Sequence, residues 1–271
     1  MTFTLVTFVI SLLAGAFGAI LGLGGGMIII PALTLLMGVD IRVAIAASMV
    51  SIIATSSGAA AAYLRDRLTN VKVAMFLELG TTTGALTGAF LSALVPRNGL
   101  FVAFGVILAF SAIAMLRRMG ERDKRIPPDP LADRLGLHGG QAPDMPAYRV
   151  SRSLLGLFLM YWAGVIAGLL GVGAGVLKVP AMDIVMGMPL KASTATSNFM
   201  IGVTAAAGAL VYLLRGDVDE LTTAPVALGV LLGAVVGAKA LAALPVRGLR
   251  IAFVVVLIVV AVRMVLQGVC G

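Results

Sequence analysis

A chain of 271 residues that is 60% hydrophobic and only 12% charged is not a soluble domain, whose charged fraction runs about twice that. Its net charge of +8 carries no basic patch interleaved with aromatics, which argues against nucleic acid as a partner. One cysteine, Cys270, and one histidine, His138, leave almost no raw material for a disulfide, a metal cluster, a cofactor site or histidine catalysis.

Apolar runs of about 20 residues without strand-like alternation predict an all-α polytopic membrane protein. In chain order the runs are 3–37, 41–64, 71–95 and 100–116, then 153–186, 190–214, 221–244 and 249–266. The first could pass for a signal peptide, since Ala14-Gly15-Ala16 looks like a cleavage site. It lacks a basic n-region, however, and its counterpart recurs in mid-chain where no cleavage signal acts. Eight crossings follow if each of the two long runs crosses once. At about 1.5 Å per residue a 35-residue helix would measure roughly 50 Å, so each long run either re-enters the membrane or consists of two half-helices meeting at an angle.

The eight runs form two copies of four. An offset of 149 places Gly22-Leu23-Gly24-Gly25-Gly26 on Gly171-Val172-Gly173-Ala174-Gly175, Pro31-Ala32 on Pro180-Ala181, Ser48 on Ser197 and Tyr63-Leu64 on Tyr212-Leu213. The domains are therefore a first transmembrane repeat over 1–119, a linker over 120–150 rich in charge, proline and glycine, and a second repeat over 151–271. Lysine and arginine collect in the turn at 65–72 and in the linker, which places both in the cytoplasm of a plasma-membrane protein. The turns at 40–42, 96–99, 188–191 and 245–247 then face outward, both termini face inward, and the halves insert in the same sense. The linker reads as flexible.

Duplicated halves, each with a glycine-broken apolar segment, point to a transporter whose substrate sits at the breaks. Backbone N–H and C=O groups freed at membrane depth must be buried in protein or line a wet cavity. Gly22, Gly24, Gly25, Gly26, Gly171, Gly173 and Gly175 would let a ligand approach that backbone, and the helix starts beyond them suit an anion. The same glycines also serve close helix packing. Lys178 stands three residues past the second break, where the first copy has Ile29. A lysine there costs about 2.5–3.5 kcal/mol, which makes it an anion contact unless it snorkels. Ser48, Ser51 and Thr55, and Thr194, Ser197, Asn198 and Thr204, form polar stripes that either bind substrate or tie helices together. Glu78, a carboxylate inside a span, can take and release protons or pair with a buried cation. Gly80, Gly84 and Gly88, with Gly229, Gly233 and Gly237, form packing seams.

The pattern Gly-x-Gly-Gly-Gly-x4-Pro-Ala-Leu at Gly22 to Leu33, its second copy at Gly171 to Met182, and Ser193-Thr194-Ala195-Thr196-Ser197-Asn198-Phe199-Met200-Ile201-Gly202 resemble the TauE/SafE sulfite exporter family, also called the toluene sulfonate uptake permease family. The second copy departs from the first at Ala174 and Lys178. The resemblance implies secondary transport of sulfite, thiosulfate or an organosulfonate, with lipid and small anion as the partners and protons as a candidate coupling ion. With no nucleotide-binding loop in the sequence, ATP is not the direct energy source. An anion channel is the nearest alternative; an intramembrane enzyme lacks a paired base for Ser51 or Glu78.

Overall fold

A computed structural model describes residues 2–21, 26–65, 67–117, 128–139, 147–241 and 246–270. Among them the regular structure is helical, apart from an antiparallel bridge between Gly139 and Tyr148. The first half comprises α1 (Thr2–Leu21), α2 (Gly26–Pro31), a π-helical turn (Ala32–Leu36), α3 (Ile41–Arg65), α4 (Val71–Leu94) and α5 (Arg97–Arg117). A short α6 (Pro130–Leu135) lies in the connector. The second half comprises α7 (Ser153–Leu170), α8 (Gly175–Pro180), a π-helical turn (Ala181–Val185), α9 (Leu190–Leu214), α10 (Glu220–Leu241) and α11 (Val246–Cys270). Shifted by 149 residues, α2, its π turn and α3 coincide with α8, its π turn and α9. Each π turn follows a proline, Pro31 or Pro180, whose missing N–H and ring clash disturb the helical ladder there.

The bundle turns the soluble pattern outward. Leu79 is 66% exposed and Leu94 80%, while Ala44, Ala74, Ala85 and Ala89 are fully enclosed. These leucines face outward while small residues let backbones approach, as expected where the bilayer is the solvent. Ser153–Leu170 and Leu190–Leu214 are each long and apolar enough to cross a membrane.

Glycine seams hold the halves together. A methyl group at Gly80 would lie 2.8 Å from the Leu157 carbonyl oxygen, and at Gly84 and Gly88 it would collide with the Tyr161 and Val165 carbonyls. Gly164 and Gly168 of α7 return the contact to Thr81 and Ala85. Gly229 and Gly233 of α10 press equally on Phe8 and Leu12 of α1. The surroundings of Gly237 and Lys239 lie outside the described residues. The seams therefore join α4 to α7 and α10 to α1, each between one half and the other.

The broken segments are hairpins. Ser151 N donates to Met186 O at 3.0 Å, so the chain entering α7 and the chain leaving the second π turn meet. In the first half the Thr7 hydroxyl reaches Met37 Sδ at 3.6 Å, as its repeat counterpart Gly156 packs on Met186. Each broken segment thus begins and ends at one face of the bundle, so neither crosses once as the count of eight requires; each folds back as a hairpin, and the other six long helices run face to face.

This changes the relation between the halves. At one face Arg97 pairs with Asp40 at 2.8 Å, Arg42 donates to Val95 O at 3.1 Å, and Arg215 donates to Ala89 O at 2.9 Å. At the other, Asn70 N, just before α4, donates to Thr196 of α9 at 3.0 Å. The start of α3 and the end of α9 therefore share a face, and the two helices run antiparallel. Three crossings per half carry the chain across, so the second copy starts from the opposite side: the repeats are inverted, not inserted in the same sense. Gly268 of α11 packs on Asn98, and Thr7 of α1 reaches Met37 just before Asp40, which puts the start of α1 and the end of α11 both on the Asp40 face. The connector lies on the Asn70 face, so the expectation that it shares a side with the termini is also corrected.

The connector is more ordered than its composition suggests. Asp129 caps α6, accepting from Leu131 N at 3.0 Å, and its other oxygen accepts from Ser153 N at the start of α7 at 2.6 Å. Burial alone would raise this carboxyl's pKa, but hydrogen bonds from Ser153, Ala132 and Leu131 outweigh it and hold the group below its usual range. Asn70 donates to Leu137 O at 2.9 Å and to the Tyr148 hydroxyl at 3.1 Å, which clasps the connector to the start of α4. The rest of the linker, 118–127 and 140–146, lies outside the described residues.

Candidate functional site

The second break is formed by backbone that only glycine adopts easily. Gly171 ends α7 with φ of 67° while its N–H reaches Ala167 O at 2.8 Å, and Gly173 follows with φ of 62°. Gly22, Gly24 and Gly25 of the first break lie outside the described residues. Gly26, its last glycine, opens α2 directly against the second break: a methyl group there would sit 2.5 Å from Ser48 Oγ and 2.8 Å from Gly171 O. Ser48 Oγ itself donates to Gly171 O at 2.9 Å. The two hairpins enter from opposite faces and touch here.

Two isoleucines occupy the contact. Ile52 on α3 and Ile201 on α9 are repeat equivalents, 2% and 4% exposed, and pack together. Methyl groups built at Gly173 and Gly175 would lie 3.1 Å and 3.0 Å from Ile201, and one at Gly26 would lie 3.1 Å from Ile52. The glycines thus make room for an apolar pair, and sequence reasoning did not find it, although the offset of 149 relates its members.

Beside that pair lies an enclosed polar row. Lys178 of α8 is fully buried, and its Nζ donates to Thr204 Oγ1 at 2.6 Å. Helical side chains lean toward their own N-terminus, which carries the ammonium back past the break instead of out to the interface. Thr204 in turn stands 2.8 Å from Glu78 Oε1 on α4 and 2.9 Å from Met200 O. Thr82 Oγ1 donates to the same Glu78 oxygen at 3.0 Å, while Oε2 is enclosed and meets no partner. Three elements therefore contribute to one row of a cation, a hydroxyl and a carboxyl.

A family model described as sulfite exporter TauE/SafE matches residues 7–264, which spans both hairpins, the polar row and all six crossing helices. The chain belongs to the sulfite exporter TauE/SafE family. Among curated relatives, it is 27% identical over 268 residues to the probable membrane transporter protein YunE of Bacillus subtilis (strain 168), covering 96% of this chain and 97% of the relative. It is 26% identical over 239 residues to the probable membrane transporter protein YdhB of the same organism, covering 88% and 89%. No solved structure matches the chain.

For this TauE/SafE chain the residues singled out by sequence separate into groups. Gly26, Ser48, Gly171, Gly173 and Gly175 meet at the hairpin contact. Ser197, the repeat equivalent of Ser48, is buried beside Gly175, and its hydroxyl finds no hydrogen-bond partner. Ser51 donates to Ala47 O within its own helix at 2.7 Å. Thr194 and Asn198 lie on the partly exposed side of α9. Glu78 and Lys178, chosen separately, prove to be joined through Thr204. Thr82, four residues beyond Glu78 on one helical face, was legible from spacing but not singled out.

Proposed function

We propose that the chain is a secondary transporter of small sulfur-containing anions, sulfite, thiosulfate or an organosulfonate, which bind beside the second break against Lys178. The observation that carries this is a fully enclosed ammonium whose direct hydrogen bond goes to a hydroxyl, with the Glu78 carboxyl one hydroxyl further away and no described carboxylate bonded to it directly. A buried cation at membrane depth costs several kcal/mol unless an anion complements it. The enclosed, unpartnered Ser197 hydroxyl beside Gly175 supplies a second donor on the same hairpin. The family and both relatives' names support transport.

Inverted repeats with hairpins entering from opposite faces suit alternating access, in which one set of helices rocks against the other and the Ile52–Ile201 pair separates. Among the described residues the connector face carries Arg65, Arg67, Lys72, Arg134, Arg149, Arg152 and Lys191, against Arg42, Arg97, Arg215 and Arg263 toward the opposite face. By the positive-inside rule the connector is cytoplasmic and both termini face outward.

Uptake into proteoliposomes, with sulfite, thiosulfate, sulfoacetate, sulfate and chloride compared, tests the reading. Saturable uptake of sulfur anions is expected, and Lys178→Met should weaken it about tenfold to a hundredfold, as loss of a charge-assisted contact does. Wild-type affinity in that variant would remove Lys178 from the site, and conductance far above carrier turnover would show a channel.

A further inference from the structure

We propose that Thr204 makes anion binding and proton binding obligatory partners: an anion engages Lys178 only when Glu78 carries a proton, so each anion moves with one proton. This rests on the reading of Lys178 as the anion-binding charge.

The argument starts from the hydroxyl. Thr204 has one proton to donate and two acceptors in reach, Glu78 Oε1 at 2.8 Å and Met200 O at 2.9 Å, while it accepts from Lys178 at 2.6 Å. With Glu78 ionised, the hydroxyl proton turns to the carboxylate, and Lys178, Thr204 and Glu78 form a closed unit without net charge. An anion approaching Lys178 then also meets a carboxylate. With Glu78 protonated, its neutral oxygen attracts the hydroxyl less, the Thr204 proton turns to Met200 O, and Lys178 keeps an uncompensated positive charge for the anion. The transferred proton comes from water and resides on Glu78; no other bond is made or broken.

Two features fit this exchange. Glu78 Oε2 is enclosed and meets no hydrogen-bond donor, so it is the open position on the carboxyl. Thr82 holds Oε1 from the same helix, so the carboxyl can change charge without swinging away from Thr204. The described titratable groups on elements packed against Glu78 include Tyr161 on α7, Lys191 and Tyr212 on α9 with Arg215 just beyond it, and Lys178 and Asp183 on the returning arm of the hairpin. Lys178 is joined to the carboxyl through Thr204, whereas Arg215 is bonded at the far face to Ala89 O and Ser92.

Thiosulfate, which stays a dianion across the range where carboxyl groups titrate, is the probe. Its binding to the purified full chain is measured calorimetrically over several pH steps. In the wild type the dissociation constant should rise with pH, by up to about tenfold per pH unit, and Glu78→Gln should bind at the low-pH affinity with no pH slope. In proteoliposomes a thiosulfate gradient should drive proton entry in the wild type and not in Glu78→Gln. A flat wild-type profile, or an unchanged slope in Glu78→Gln, overturns the coupling; with Lys178→Met still losing binding, the anion site would stand. Wild-type thiosulfate binding by Lys178→Met would overturn the site reading itself.

Discussion

Two serines at equivalent positions behave differently, and the difference can be measured. Ser48 donates to Gly171 O, so Ser48→Ala leaves a buried carbonyl with one partner fewer and should lower stability by about 0.5–1.5 kcal/mol, seen as a reduced unfolding temperature. Ser197 donates to nothing while buried, so Ser197→Ala removes an unsatisfied hydroxyl and should leave thermal stability unchanged or raised. The same variant should weaken anion binding severalfold, which separates a ligand contact from a packing role. Lys178 was legible in the sequence because a charge in an apolar run is costly and so needs a reason. Thr204's part was not, since a helical threonine usually bonds its own backbone, as this one also can with Met200 O. Only the spatial meeting of α4, α8 and α9 shows the other two partners.

At the level of elements, the α4–α7 seam is sharply constrained. Gly84→Ala would drive a methyl group into the Tyr161 carbonyl, where neither backbone can yield without separating the helices. The variant should lose about 1–3 kcal/mol, read as a lower melting temperature and earlier dissociation in detergent. The connector offers a pH test. Asp129's carboxyl is held below its ordinary value, so what it contributes is present above the unfolded value and lost as pH falls through the depressed one. Acidification should therefore release α6 from the start of α7, and Asp129→Asn should do the same at neutral pH, giving severalfold faster trypsin cleavage at Arg134. The apolar runs and the repeat were plain in the sequence, because lipid demands about 20 apolar residues per crossing. Whether a broken run crosses or turns back was not, because that is decided where its two ends meet, at Ser151 and Met186. One misjudged crossing per half was enough to reverse the second repeat.

On the scale of the whole molecule, topology is the property most open to a direct check. Cys270 is exposed and lies on the face shared by the termini. In right-side-out vesicles a membrane-impermeant maleimide should label it, while a cysteine placed at the exposed connector residue Ala147 of a chain with Cys270→Ser should react only after the vesicles are opened. Labelling of both from outside would contradict the opposite-face arrangement. The interleaved seams also bear on how the protein is made. Helix α4 presents its glycine groove to α7 and α1 waits for α10, so a nascent chain that has inserted only its first half holds two helices whose partners are still inside the ribosome. Its Gly80, Gly84 and Gly88 face would meet lipid until α7 arrives, and α1 would remain without its seam until synthesis is nearly complete. Assembly is thus set late by the order of translation, and a chain interrupted in the connector would reach the membrane as a substrate for quality-control proteases, not as a working half.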